Sequence, residues 1–294
     1  MSDSLDVFLD YLFQMWAIQF PTAVGVNLLL YFLFLYTDAN TLVDFGWAFN
    51  QLVFALSMMM QQHKNFSLKY GFITIVVFIW FFRLGGFLFF TRVINSTNDS
   101  RYEEMSGTGS AAKRRLWFLF QFLFQALLVV IPASPLYFMY REPERYGWNF
   151  YTGLSIALIG TFLEGLADHQ LYRWVQNKSK AKKSSAEDRV DLVETQNDPI
   201  IEAQPKAQQS SNTFREGLWK KSRHPNLFFE LVAWIGFAIT GVNDLISLVG
   251  FVGPFTLLLL MYFVTIPITE RNMKKKRPNW EQYEQETNRL LPVL

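Results

Sequence analysis

Apolar residues along this chain come in long blocks separated by short polar breaks. They do not follow the period of two or 3.6 that marks a half-buried strand or a surface helix. A block of about 18 or more apolar residues matches the thickness of a bilayer core. On that criterion the pattern predicts spans at 16–36, 42–61, 70–91, 114–138, 149–171, 227–241 and 245–268. The sixth is the shortest and is entered through polar sequence. Pro21, Pro132, Pro135 and Pro267 lie inside or at the ends of these blocks, where neighbouring helices can satisfy the carbonyls a proline frees. The expected fold is an all-α integral membrane bundle of about seven transmembrane helices, built as one membrane domain over 1–294.

Charge sets an orientation for that bundle. With seven spans, 22 of the 27 Lys and Arg residues fall on one side, while Lys64, Lys69, Arg141 and Arg145 fall on the other and Arg83 lies within the third span. The positive-inside rule then places the N-terminus outside and the C-terminus on the cytosolic (or matrix) side. The opening stretch carries Asp3, Asp6 and Asp10 and no basic residue. That matches neither a secretory nor a mitochondrial leader, so the first span is expected to serve as its own insertion signal.

Composition narrows the classes further. Hydrophobic residues make up 51%, aromatics 17% and charged residues 18%, with a mean hydropathy of +0.12, which excludes an ordinary soluble or disordered chain. A net charge of +2 says nothing about nucleic acid, but the lack of a basic stripe with interleaved aromatics argues against such a partner. With no cysteine, disulfides, thiolate metal sites and cysteine nucleophiles are excluded, and no metal site is expected.

Two stretches depart from the apolar pattern. Residues 175–213 contain no aromatic and run from Lys-rich through acidic to Gln/Ser-rich sequence. Such a segment buries too little apolar surface to fold alone and reads as an inserted, disordered loop. Residues 269–294 read as an interfacial C-terminal tail: Trp280, Tyr283 and Thr287 recur at helical spacing after a four-cation run at 274–277, the signature of an amphipathic helix drawn to lipid headgroups.

Candidate chemistry lies in the ionisable residues of the apolar blocks: Asp44, Arg83, Glu164, Asp168 and Glu230. A charge within a membrane costs several kcal/mol unless it is paired or faces water, which makes each a candidate for function. Asp44, Trp47 and Gln51 share one helical face, and Glu164, Asp168 and Tyr172 form a stripe at spacing four. An Asp44–Arg83 pair holding the bundle together is the competing, purely structural reading. The stretch from Gly217 to Glu230 adds a second motif. Pro225 suits the first turn of a helix, which sets Asn226 and Glu230 one turn apart. Arg223 and His224 immediately precede that helix, where exposed N–H groups already favour an anion, and Lys220 and Lys221 add positive charge. The combination suits a large, polyanionic, hydroxyl-rich ligand such as a nucleotide cofactor; a basic collar at the membrane edge is the plainer alternative.

These motifs together resemble the steroid 5-alpha-reductase-like superfamily, and within it a branch of small multi-span proteins known only as a domain of unknown function. The resemblance runs from Asp44 to Pro292. It is carried by Val43-Asp44-Phe-Gly-Trp47, Arg83-Leu-Gly-Gly with Arg92, Asp99-Ser-Arg101-Tyr102, Glu164-x-x-x-Asp168, Gly217-Leu-Trp with Ser222-Arg-His-Pro-Asn226 and Glu230, and the late Glu270, Tyr283, Thr287 and Pro292. It implies an NADPH-dependent reductase that saturates an enone of a lipid-like substrate of sterol, polyprenol or fatty type. In that reading Tyr102 and Glu164 are catalytic, and Arg83, Arg92, Arg101, Asp168, Arg223, His224, Asn226 and Glu230 bind the cofactor. The implied partners are the lipid bilayer, a hydrophobic small molecule and subunits of a membrane complex. The endoplasmic reticulum is favoured over the mitochondrial inner membrane. Two positions depart from the pattern: Leu227 replaces a Tyr and Phe229 replaces a Gly. They keep open a non-catalytic structural subunit, and the shared Arg-His-Pro motif keeps open an S-adenosylmethionine-dependent methyltransferase.

Overall fold

The structure, a computed structural model, describes residues 2–61, 67–94, 98–107, 109–141, 146–195 and 213–292. Among the described residues the chain is all helical and forms no strand. The α-helices are α1 (Ser2–Thr37), α2 (Leu42–Gln61), α3 (Leu68–Phe81), α4 (Ser100–Ser106), α5 (Ala111–Val130), α6 (Ser134–Arg141), α7 (Trp148–Thr195), α8 (Pro225–Thr240), α9 (Val252–Leu260), α10 (Ile266–Lys276) and α11 (Trp280–Glu286). Two π-helical turns, Phe82–Gly86 and Phe89–Val93, prolong α3, and a third, Met261–Thr265, joins α9 to α10.

Among the described residues, five stretches are long and apolar enough to cross a membrane: Phe13–Thr37, Leu42–Gln61, Leu68–Val93, Trp148–Ala181 and Ile246–Lys276. Helices α5 and α6 qualify as a sixth only as a pair, bent by 42°. Pro132 and Pro135 flank the bend and account for it, since a proline removes a helical N–H and crowds the preceding turn. The block expected to be a span at 227–241 is α8, only 16 residues long. It falls short of the roughly 20 residues a crossing needs. Seven expected spans therefore become five, or six with the bent pair. Phe13, Leu29, Phe32, Phe72, Phe90, Phe162 and Phe263 are each more than half exposed. Water would not tolerate so much apolar surface, whereas lipid solvates it. The chain is a multi-pass membrane protein.

The residues divide into two compact units, Met1–Phe162 with Phe229–Ile268, and Leu163–Phe228 with Thr269–Leu294. In the first, α1 and α5 meet through aromatic rings. Phe34 lies 4.3 Å from Phe118 and 6.1 Å from Phe122, centroid to centroid, and Leu30, Leu42, Val43 and Tyr102 complete the cluster. Helix α1 ends at Asp38, whose φ of 57° is the left-handed cap conformation Asp tolerates. Its N–H donates to the Phe34 carbonyl at 2.8 Å. Amide side chains tie α2 to α5: Gln125 donates to the Val43 carbonyl at 2.6 Å and Gln51 to the Val129 carbonyl at 3.3 Å. Further along, α7 and α8 cross on small residues. A Cβ at Gly160 would sit 2.6 Å from the Ala233 nitrogen, and one at Gly236 would sit 2.7 Å from the Gly153 carbonyl. Lipid is as apolar as Leu, so burial drives little of this association. Close backbone contact at Gly and Ala supplies dispersion energy instead.

The second unit is built on the later turns of α7. Trp219, in a 3-10 turn at Gly217–Lys220, donates its indole N–H to the Ala167 carbonyl at 2.8 Å. Gly217 has a φ of 58°, and a Cβ there would lie 2.6 Å from the Gln170 amide, so only glycine fits. The C-terminal tail closes over this loop. Tyr283 donates to the Trp219 carbonyl, Ser222 to the Leu290 carbonyl at 2.7 Å, and the Arg223 N–H to the Asn288 carbonyl at 2.8 Å. Two expectations change here. The apolar face of the tail, Trp280 and Tyr283, is buried within this unit rather than turned to the membrane interface, because the tail's aromatics find the 213–222 loop to pack on. The segment 175–213, expected to be a disordered loop, is helical as far as Thr195, consistent with its many Lys, Ala and Glu residues, which are good helix formers. The remainder, 196–212, lies outside the described residues.

Candidate functional site

Each unit holds one cluster of charged side chains. In the first, Asp44 is the meeting point. It begins the first turn of α2, and its carboxylate accepts from Tyr102 Oη at 2.6 Å, from Arg101 at 2.9 Å and from Arg92 at 3.4 Å. Asp99 is the second carboxylate. It caps α4 by accepting from the Arg101 N–H at 2.8 Å, the role Asp plays best at a helix start. It also grips the Arg101 guanidinium with both oxygens, at 3.0 and 2.9 Å, and takes Arg92 at 3.2 Å. Asn40 fixes the loop by accepting from the Asp99 N–H at 2.7 Å and donating to Glu103 at 2.8 Å. Arg114 bridges Glu103 and Asp38. Two carboxylates and two guanidiniums thus close around one phenol.

The electrostatics follow from this geometry. Burial pushes the Asp99 carboxyl up, but hydrogen bonding and charge from Arg101, with Arg92 behind, more than offset it and hold the group below the usual carboxylate range. Asp44 raises the pKa of Arg101 and so keeps it charged. Burial first, and the Asp44 charge second, push the Tyr102 phenol well above its ordinary value. Tyr102 is therefore a neutral donor whose proton points at a carboxylate. It could protonate a ligand oxygen only if that oxygen took the place of Asp44 as acceptor, with Arg101 and Arg92 stabilising the resulting charge.

Arg92 lies in the second π turn of α3 and Arg83 in the first. Such turns carry an extra residue, re-aim side chains, and recur at functional sites. Asp44 pairs with Arg92 and Arg101 rather than with Arg83, the partner expected on structural grounds. In the same unit Trp47 donates to Glu230 at 3.2 Å, so the shared face of Asp44, Trp47 and Gln51 is used along its whole length.

In the second unit the hub is Glu270, 3% exposed. One oxygen lies 3.1 Å from Arg223 Nε and 3.3 Å from His224 Nε2, and the other accepts from Arg289 at 3.0 Å. Arg223 also donates to the Glu284 carbonyl at 3.1 Å. Pro225 opens α8, and Asn226, on its first turn, donates to Asp168 at 3.0 Å. Glu164 is 2% exposed, one turn from Asp168 along α7. The structure gathers Arg223 and His224 onto Glu270 and joins Asn226 to Asp168. Glu270, Arg289 and Asp99 were not among the expected site residues, although Asp99 and Glu270 stand in the motifs that carry the resemblance. Arg289 stands alone among polar residues and gave no signal.

Asp168 and Asn226 form a carboxylate–amide pair of the kind that holds ribose hydroxyls or a carboxamide. Three potential cations, Arg223, His224 and Arg289, surround the Glu270 carboxylate. No group of His, Asp and Glu among the described residues is arranged to hold a metal ion.

A family model described as "Protein of unknown function (DUF1295)" matches residues 30–289, which is most of the chain and includes both clusters, and the chain belongs to that family. No curated protein and no solved structure matches the chain.

Proposed function

We propose that this member of the family is a membrane-embedded reductase that uses NADPH to saturate an enone in a lipid-like substrate. One observation carries the reading: a phenol held by a carboxylate between two guanidiniums. When bound, the dinucleotide supplies a hydride to the β-carbon of the enone. Tyr102 then gives its proton towards the carbonyl side, and Arg101 and Arg92 stabilise the negative charge left at the phenol. Asp44 aligns the phenol beforehand. Asp168 and Asn226 would hold the sugar or carboxamide, and Arg223, His224 and Arg289 the phosphates. Arg83 and Glu230 would act as binding residues and Glu164 as the second catalytic group. The superfamily resemblance, the orientation with the C-terminus on the cytosolic side and a place in the endoplasmic reticulum belong to the same proposal.

A second reading has its own support. Arg223, His224 and Arg289 are already directed onto Glu270, and Phe229 stands where the superfamily pattern has Gly. A non-catalytic structural subunit would need no more than that. The two readings part in one experiment. Purified protein is mixed with NADPH and a lipid extract of its membrane, and NADPH oxidation is followed. The reductase reading expects lipid-dependent oxidation that falls about 100-fold or more in Tyr102→Phe, the scale of a lost general acid. Absence of oxidation with every lipid fraction, in protein that still melts cooperatively, would leave the structural subunit.

A further inference from the structure

Several cations of the second unit meet its carboxylates. Arg215 pairs with Glu286, Arg223 and Arg289 with Glu270, and Lys274 with Glu284. Arg277 differs. It follows the last residue of the stretch Ile246–Lys276, and its guanidinium lies 5.6 Å from the centroid of the Trp174 ring. Burial lowers its pKa, and among the described residues no carboxylate pairs with it. Lys178 approaches the same ring, at 5.1 Å. Trp174 is itself backed by Phe214 at 5.7 Å.

The attraction of a cation to the indole is worth only about 0.5–2 kcal/mol. A partly buried guanidinium without a counter-ion costs more than that. An anion beside Arg277 removes that penalty. The location indicates which anion. Trp174 lies inside the membrane-crossing stretch Trp148–Ala181, near its C-terminal end, and Arg277 lies at the end of another. Tryptophan at that depth belongs at headgroup level, and Lys275 and Lys276 extend the positive charge along the same edge.

We infer that Arg277, Trp174 and Lys178 form a binding site for the phosphate of an anionic phospholipid, whose acyl chains run down the apolar surface of α7. The site is separate from the Glu270 cluster and does not depend on the reductase reading. The test uses the full-length protein in neutral detergent and follows its thermal midpoint. Short-chain phosphatidylglycerol should raise the midpoint by about 2–4 °C at tenfold excess over its dissociation constant. Short-chain phosphatidylcholine and inorganic phosphate at the same concentration should not. Arg277→Gln and Trp174→Leu should each remove most of the shift, and Arg277→Lys should keep part of it. The variants' own melts should remain cooperative. An equal shift with phosphatidylcholine would reduce the effect to bulk lipid, and an equal shift with inorganic phosphate would assign the site to a free anion. Either result overturns the inference, as would an undiminished shift in Arg277→Gln.

Discussion

Tyr102 donates to Asp44 within a ring of charges, and the behaviour of that ring can be tested one side chain at a time. Removing the hydroxyl in Tyr102→Phe loses a charge-assisted hydrogen bond and should cost about 1.5–3 kcal/mol of stability, readable as a lower thermal midpoint. Asp99 adds a pH signature. Its native carboxyl titrates below the usual range, so its contribution is complete above its unfolded value, about 3.9. That contribution drains away as pH falls through the lowered native value. Thermal midpoints measured from pH 6 down to 3 should therefore fall more steeply in the wild type than in Asp99→Asn; parallel curves would show that Asp99 is not linked to folding. At this scale the sequence was legible where a charge stood inside an apolar block. Asp44 and Asp168 announced themselves. The pairing of Asp44 with Arg92 and Arg101 did not, because no local pattern says which cation the chain brings back to it.

Among the elements, the apolar blocks predicted the helices well because a bilayer imposes one length and one composition. Two features escaped that pattern. The π turns around Arg83 and Arg92 leave the run of apolar residues unchanged, so hydropathy is blind to them. The docking of the C-terminal tail onto the 213–222 loop was not legible, because an amphipathic face looks the same whether it meets lipid or protein. Crossing helices α7 and α8 can be tested directly. Gly160→Ala places a methyl 2.6 Å from the Ala233 backbone nitrogen, which cannot yield as a flexible side chain would. The substitution should destabilise by about 1–3 kcal/mol. At Gly25, where no atom lies within 4 Å of an added Cβ, the same change should be close to neutral. Equal effects at both positions would mean the crossing is looser than described.

At the scale of the whole molecule, five or six crossings and two charged clusters turn on one question: whether the costly charges serve a ligand or only one another. Buried pairs are weak evidence for stability, since apolar replacements often do as well; charges kept in a membrane point to function. The measurement that decides it most directly is NADPH binding to purified protein by titration calorimetry, in wild type and in Arg223→Ala. The account predicts saturable binding of NADPH, none of S-adenosylmethionine, and a weakening of about 10- to 100-fold in the variant, the scale of a charge-assisted hydrogen bond. A wild type that binds no pyridine nucleotide while melting as one cooperative species would contradict it.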